Sequence, residues 1–364
     1  MSALAGGVFA TKSTGDDDAE LRDLVDDLGR RSFDAQLGQR GLPDRFDAEL
    51  WRNLEETGLA RLTSAPDADA GPRELAVTLY GLAHHACGVP LVETDALAGW
   101  LGRQAGIELP EGPLTVALAD GESAGDRVTG TAVNVSWGRA ATPVLLVRTP
   151  DGLRVGVLDA NSITLTEHHN LAGEPRDAIE FDLPAEQLHP VDASIEDRLR
   201  TRGAWARCVQ IVGALDAAAR LSVEHTRERQ QFGRSLSAFQ SVQQSLAGMA
   251  GEIERARASV ELAVAAADEY GFDSVLTDYA VTVAKITVGR VVGPVTTTAH
   301  QLHGAIGVTS EHALWLFTLR AQSWIDDFGT TNHYARRLGT LALAAQDPWD
   351  LVTGDLDQFD INAR

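Results

Sequence analysis

Two stretches of this sequence carry residues that suit a ligand made of a phosphate and a flat ring. Residues 229–240 read Arg-Gln-Gln-Phe-Gly-Arg-Ser-Leu-Ser-Ala-Phe-Gln. Arg229 can donate paired hydrogen bonds to a phosphate, and Phe232 offers a face for an aromatic ring. Residues 301–307 place two glycines in a helical pattern, where they admit a tight turn or close backbone approach. Together the stretches point to a dinucleotide ligand.

Each of these residues also has an ordinary structural explanation. Ser237 and Gln240 form an S-x-x-Q capping box, which would stabilise the start of the next helix. Phe232 also suits an apolar core, and Gly304 and Gly307 also suit a plain helix break. The combination of the two stretches favours ligand binding over any one of these explanations.

The spacing R-x-Q-F-G-x(6)-Q, followed by Q-x-H-G-x-x-G, resembles the flavin-binding signature of the acyl-CoA dehydrogenase family. The resemblance runs from about residue 21 to residue 345 and is strongest in the C-terminal third. It implies that the arginine, the phenylalanine and two glutamines reach FAD held by a neighbouring subunit, and therefore that the chain forms an oligomer. The residues that it assigns to FAD are Arg229, Gln231, Phe232, Gln240, Gln301, Gly304, Gly307, Ser136, Thr330 and Asn332.

The middle of the chain departs from the family pattern. Residues 119–122 stand where a Thr-Glu-Pro loop usually covers the flavin, and the excursion after that loop is nearly gone. The resemblance implies that Ser136 offers a hydroxyl or backbone N–H to the flavin N5 edge. Trp137 follows this serine. An exposed tryptophan at the end of a strand is an equally good interpretation of Trp137. Thr330 and Asn332 keep the polar character of a flavin-side motif, with a helix N-cap at Thr331 or Asn332 as the alternative.

The catalytic base is the main open question of the sequence. Acyl-CoA dehydrogenases remove an α proton with a carboxylate while the β hydrogen leaves as hydride to the flavin. The resemblance offers two places for a glutamate, but these hold Phe328 and Gly203, and a neighbouring arginine of the family is Ala204 here. Asp326 or Asp327 can act as the base after a small shift in the turn, or this pair is a solvated acidic turn. Alternatively a partner subunit supplies the base, or the chemistry is altered.

The resemblance implies an FAD-dependent enzyme that desaturates an acyl-CoA thioester. The chain resembles one subunit of the α2β2 acyl-CoA dehydrogenases of actinobacterial sterol side-chain breakdown, and this resemblance implies a bulky, steroid-derived substrate. The expected partner is a paralogous subunit, or a second copy of this chain in a dimer or tetramer. The alternative is a non-catalytic subunit that only completes the FAD site of a catalytic one.

The apolar pattern predicts an α+β chain that must position these residues. Its period is helical up to about residue 105, changes to two from residue 114, and becomes helical again after residue 190. Six short strands without intervening helices favour a small antiparallel barrel or sandwich, and the long C-terminal helices favour a four-helix bundle with an extra terminal helix. The predicted segments are a mobile lead-in (1–18), an N-terminal helical domain (19–112), a middle β domain (113–192), a C-terminal helical bundle (193–346) and an acidic tail (347–364).

Composition excludes several other classes of protein. The 364 residues carry a formal net charge of −21, which opposes binding to nucleic acid and to anionic membranes. No apolar run is long enough to span a bilayer, and a cytoplasmic location is expected. Cys87 and Cys208 lack a nearby partner and are predicted to be small core residues. His300 and His303 lie one turn apart without supporting carboxylates, so the sequence predicts no metal site.

Overall fold

The computed structural model describes residues 19–36, 41–42, 44–345 and 347–353. The predicted lead-in and residues 354–364 of the predicted tail lie outside the described residues. Within the described part of the chain, no helix is long and apolar enough to cross a membrane.

The N-terminal helices form where the apolar period predicted them, and polar residues cap their first turns. The Asp47 carboxylate accepts a hydrogen bond from the Leu50 N–H at 3.0 Å, and Glu74 accepts from the Gly71 N–H at 2.7 Å. Such bonds satisfy amide groups that have no partner within the helix. The elements are α1 (Ala19–Ala35), α2 (Ala48–Glu56), α3 (Pro72–His84) and a π-helical segment (Val92–Gly99) that continues into α4 (Trp100–Ala105).

The middle of the chain is one seven-stranded mixed sheet of order β5-β6-β2-β1-β3-β4-β7. Its strands are β1 (Leu114–Ala124), β2 (Arg127–Ser136), β3 (Thr142–Thr149), β4 (Gly152–Val157), β5 (Ile163–Thr166), β6 (Arg176–Pro184) and β7 (His189–Pro190).

Strand β1 changes partners along its length, so the prediction of a purely antiparallel sheet is wrong for one pair. Its first part pairs with β3 in parallel, and its last part, from Gly121, pairs with β2 antiparallel. A Cβ at Gly121 would lie 2.6 Å from Val147, so glycine permits the close approach at the crossing. The strands enclose a small apolar core of their own, which includes Val128 and Phe181.

The C-terminal part consists of long helices around the central helix α5. Helix α5 begins at Ile195, and the buried Ile195 and Leu199 form the start of its apolar surface. Most faces of α5 are buried, since α3 packs on one side and α6 to α8 on the others. The helices are α5 (Ile195–Glu228), α6 (Gln240–Tyr270), α7 (Val275–His303), α8 (Leu314–Trp324), α9 (Thr331–Ala344) and the short α10 (Trp349–Thr353).

The N-terminal helices and the C-terminal helices share one apolar core. Cys208 lies in this core, whereas Cys87 is only half-buried, and neither cysteine forms a disulfide. Because one core joins both helical regions, the packing does not test the domain boundaries drawn from the sequence, and these stay a prediction.

Gly213→Ala tests the contact between α3 and α5. A Cβ at this position would overlap the Tyr80 backbone carbonyl, which cannot move as a side chain can. We expect the free energy of unfolding to fall by about 1–3 kcal/mol, because overpacking displaces the backbone. Thermal unfolding followed by circular dichroism measures the effect.

Gly248→Ala is the matched control, since this helical glycine is exposed and a Cβ there meets no atom within 4 Å. Its unfolding midpoint should stay the same or rise, because alanine is favoured over glycine in a helix by up to about 1 kcal/mol. Equal midpoints for the two variants would contradict the close contact.

Candidate functional site

A tight hairpin follows α5 and presents the first motif at the surface. Gln230–Gln231 pairs with Arg234–Ser235, and the turn between them consists of Phe232 and Gly233, with φ of 54° and 79°. Two successive positive φ values define a type I′ turn, which phenylalanine rarely enters. The Phe232 side chain is 91% exposed. The hairpin therefore holds an aromatic ring outward in a conformation that costs free energy, as is common where a residue has a functional role.

Local contacts fix the hairpin against the start of α6. The Leu236 N–H donates to the Arg229 carbonyl at 2.9 Å, and Arg234 lies over the Phe239 ring at 4.0 Å. Helix α6 begins at Gln240 with Phe239 at its N-cap, and no side chain caps it. The capping box of Ser237 and Gln240 is therefore not formed, and that explanation of Gln240 is wrong.

The second motif forms the end of α7 and the turn after it. Gly304 has φ 64° and ψ −144°, a conformation that only glycine adopts readily. Gly307 is buried, and a Cβ there would lie 2.7 Å from the His303 Cβ. Both glycines are thus required by the backbone, while Gln301 remains exposed.

The two motifs, some sixty residues apart in sequence, meet through two histidine rings. His225 lies one turn before Arg229 and stacks on His303, with ring centroids 4.6 Å apart. The side chains of Arg229, Gln231, Gln240 and Gln301 make no hydrogen bond to any described residue. We call the exposed residues of these stretches that the resemblance assigns to FAD the motif face: Arg229, Gln231, Phe232, Gln240, Gln301 and Gly304.

The other predicted ligand residues lie in a second group near the end of β2. Ser136 is half-buried and its Cα pairs with that of Arg176, whose side chain contacts Asp327 at 3.0 Å. Thr330 follows this aspartate and caps α9 by accepting from the His333 N–H at 3.1 Å. The alternative of a helix N-cap at Thr331 or Asn332 is wrong, because the N-cap of α9 is Thr330. Asn332 is exposed in the first turn of α9.

Trp137 does not lie at an exposed strand end, and that interpretation is wrong. Its side chain is only 3% exposed, and its ring packs against Phe46 at a centroid distance of 6.4 Å. It adopts φ 57° after β2, which turns the ring towards the N-terminal helices.

Asp327 is held in ion pairs. Its Oδ2 accepts from Arg176 at 3.0 Å and from Arg207 at 2.8 Å. Although burial opposes the charged form, these arginines and Lys285 together hold the pKa of Asp327 below its usual range. Such a carboxylate is a weak base, so the contacts favour a structural role for Asp327. Asp326 is exposed, as the solvated-turn alternative predicted for it.

The ion pairs of Asp327 belong to a larger buried network that the sequence analysis missed. Its members come from the π-helical segment, the loop before α2, the start of β6 and the loop before it, α5, α8 and the turn before α9. No spacing in the sequence could signal this network, because most of its members lie far apart along the chain. The network consists of Asp44, Glu93, Glu174, Arg176, Arg207, Arg320 and Asp327.

The two positions where a glutamate was sought are in contact with each other. A Cβ at Gly203 would lie 2.5 Å from atoms of the Phe328 ring. The ring therefore occupies the space that any side chain at position 203 would need. Neither position holds a carboxylate, and the aromatic ring closes the space between them.

Comparisons with known proteins agree with this architecture. The acyl-CoA dehydrogenase C-terminal domain model matches residues 199–333. Acyl-CoA dehydrogenase FadE27 of Mycobacterium tuberculosis is 28% identical over 343 residues, which cover 82% of this chain and 89% of that protein.

Two solved structures with two named components share the fold. A chain of the ChsE4-ChsE5 complex from Mycobacterium tuberculosis has a TM-score of 0.80 and 24% identity, over 92% of this chain and 99% of its own. A chain of the Tcur3481-Tcur3483 steroid ACAD has a TM-score of 0.75 and 23% identity, over 92% of this chain and 97% of its own. The fold predicted from the sequence is confirmed.

Asp327→Asn tests the ion-pair role. Removing one partner leaves buried arginines undercompensated, which typically costs about 3–5 kcal/mol. We expect a loss near the lower end, about 3 kcal/mol, because 22% of the Asp327 side chain is exposed. Because the pKa of Asp327 is lowered by folding, its stabilisation is present at neutral pH and is lost as pH falls below about 4. Unfolding midpoints measured between neutral and acidic pH report both effects.

Asp326→Asn provides the control for the neighbouring exposed carboxylate. It should keep both the stability and the acid dependence of the unchanged chain. If Asp327→Asn unfolds at the same midpoint as Asp326→Asn, the ion pairs do not stabilise the fold.

Proposed function

We propose that this chain, an oxidoreductase of the acyl-CoA dehydrogenase family by its C-terminal domain, is the base-lacking subunit of a heteromeric FAD-dependent enzyme. A paralogous subunit binds the acyl-CoA thioester and supplies the carboxylate that removes the α proton. The present chain completes the FAD site with its motif face. The assembly is an α2β2 heterotetramer, and its substrate is a bulky, steroid-derived acyl-CoA.

The observation that carries this proposal is the Phe328 ring lying over Gly203. Desaturation of a thioester begins with a carboxylate that can accept a proton beside the α carbon. Both places where the family pattern predicts such a group are apolar here and closed against each other. Asp327, the nearest alternative, is already bound by two arginines. A second chain is therefore the simplest source of the base.

The motif face suits FAD because its side chains have the right chemistry and are exposed and available for contacts. The Arg229 guanidinium has no partner among the described residues and can donate two hydrogen bonds to a pyrophosphate. Phe232 is held outward in a strained turn, where its ring can lie against a flat heterocycle. When bound, FAD supplies the acceptor for the hydride. The side chains of the motif face bind and orient it without taking part in proton transfer.

The exposure of the motif face supports the contact with a second subunit. A monomer leaves the free arginine and the strained aromatic ring in solvent, where neither has a function. The two-component neighbours, ChsE4-ChsE5 and the Tcur3481-Tcur3483 steroid ACAD, support a heteromeric assembly, and the latter supports a steroid-derived substrate.

Expression of this chain alone and together with a paralogous acyl-CoA dehydrogenase subunit tests the proposal. Alone, the chain should purify with little or no flavin absorbance and should not reduce an electron acceptor with acyl-CoA. The co-purified complex should contain FAD, which a steroid-derived acyl-CoA bleaches. A chain that is yellow alone and bleaches with acyl-CoA would show that it carries its own base.

Arg229→Met in that complex tests the motif face. A charged hydrogen bond contributes about 1.5–3 kcal/mol, so FAD affinity should fall roughly 10- to 150-fold. Equilibrium dialysis followed by flavin fluorescence measures the dissociation constant. Arg227→Met is the matched control, since Arg227 is exposed on the last turn of α5. If both variants keep the original affinity, the motif face does not bind FAD.

A further inference from the structure

Three histidines that are far apart in sequence converge at one point of the bundle. His225 lies in the last turn of α5, His303 is the last residue of α7, and His312 precedes α8. The His303 ring lies 4.6 Å from each of the other two rings, centroid to centroid. One ring nitrogen of each residue lies within 4.8 Å of the other two. Imidazole nitrogens gathered in this way are the preferred protein ligands of zinc and related metals.

His303 has an unused lone pair that faces no donor. Its Nδ1–H donates to the Ala299 carbonyl at 2.8 Å, so Nε2 carries no proton in the neutral ring. The side chain is 5% exposed, and Nε2 has no hydrogen-bond partner among the described residues. A buried acceptor without a partner costs free energy. Metal-bound histidines usually have this arrangement, with the second nitrogen donating to a carbonyl.

The other two histidines are half-buried, and they differ in how available their ring nitrogens are to a metal ion. The ring nitrogens of His225 make no hydrogen bond to any described residue. In His312, Nδ1 already accepts from the Leu314 N–H at 3.1 Å, so metal binding at either ring nitrogen requires that this hydrogen bond be broken. Burial lowers the pKa of all three rings, and that of His303 to about 4. The rings are therefore neutral at pH 7, as metal binding requires.

We propose that His225, His303 and His312 form a binding site for Zn²⁺ or a similar divalent transition metal ion. Because the three nitrogens lie within 4.8 Å of one another, a point exists within about 2.8 Å of all three. Zinc–nitrogen bonds are about 2.0–2.1 Å, so the rings need to close in by no more than about 0.8 Å. Because two of the rings are half-buried, water or a ligand from outside can take the fourth position.

The bound ion would join the two helix ends that carry the motif face. His225 is one turn before Arg229, and His303 follows Gln301 by two residues. A link between α5 and α7 at this point fixes the spacing between the two motifs. This site does not depend on the proposed flavoprotein function, since it uses only contacts within one chain.

Titration of the purified full chain, stripped of metal, with Zn²⁺ and separately with Co²⁺ tests the site. We expect one ion per chain, a rise in the unfolding midpoint with Zn²⁺, and the visible absorption of tetrahedral Co²⁺. His225→Gln and His312→Gln should each weaken Zn²⁺ binding by roughly 10- to 100-fold or more, since changes even outside the first coordination shell have effects of that size.

His300→Gln is the matched control, because His300 lies one turn before His303 but bonds Thr318 at 3.0 Å instead. It should keep the affinity for Zn²⁺. The proposal is overturned if the unchanged chain takes up neither ion, or if His225→Gln and His312→Gln bind Zn²⁺ as the unchanged chain does. Loss of binding in His300→Gln alone would also overturn the assignment of the ligands.

Discussion

A buried network of charges determines the geometry of this protein where its parts meet. Arg207, in the middle of α5, pairs with Glu93 from the N-terminal helices and with Asp327 from the turn before α9. Arg176 continues the network into the β domain. Buried charges are tolerated only when they are paired, so these elements must keep the positions that hold the paired side chains together. The network therefore defines how helices, sheet and bundle fit together, although it replaces water contacts at a large desolvation cost.

The same network explains why the turn before α9 is poorly suited to proton abstraction. Asp327 is ionised and engaged by two arginines, which makes it part of the framework. The next residue, Phe328, takes φ 59° and lies over Gly203, where a carboxylate was sought. The motif face is independent of these contacts, because it is formed by the ends of α5 and α7 and by a short hairpin. The proposed ligand-binding residues are thus structurally separate from the positions where a base was sought.

Much of the fold could be predicted from the sequence because apolar periodicity is a local property. The period of two located the strands, and helical spacing located the bundle. Partner choice was not predictable, since β1 pairs in parallel with β3 before it meets β2. Long-range packing also buried Trp137, which its neighbours in sequence do not reveal. Likewise, the capping box that Ser237 and Gln240 could form does not occur, because α6 begins only at Gln240, after the hairpin.

The sequence by itself determined the residue types of the motif face, the lack of a glutamate at both expected positions, and a charge of −21. These properties depend only on residue types and their order, and not on the folded structure. Only the tertiary structure decided that Asp327 is bound by arginines, that Phe328 fills the space above Gly203, and that three histidines meet. Each of these depends on side chains separated by tens or hundreds of residues, and such contacts arise from packing in space, which no local pattern encodes.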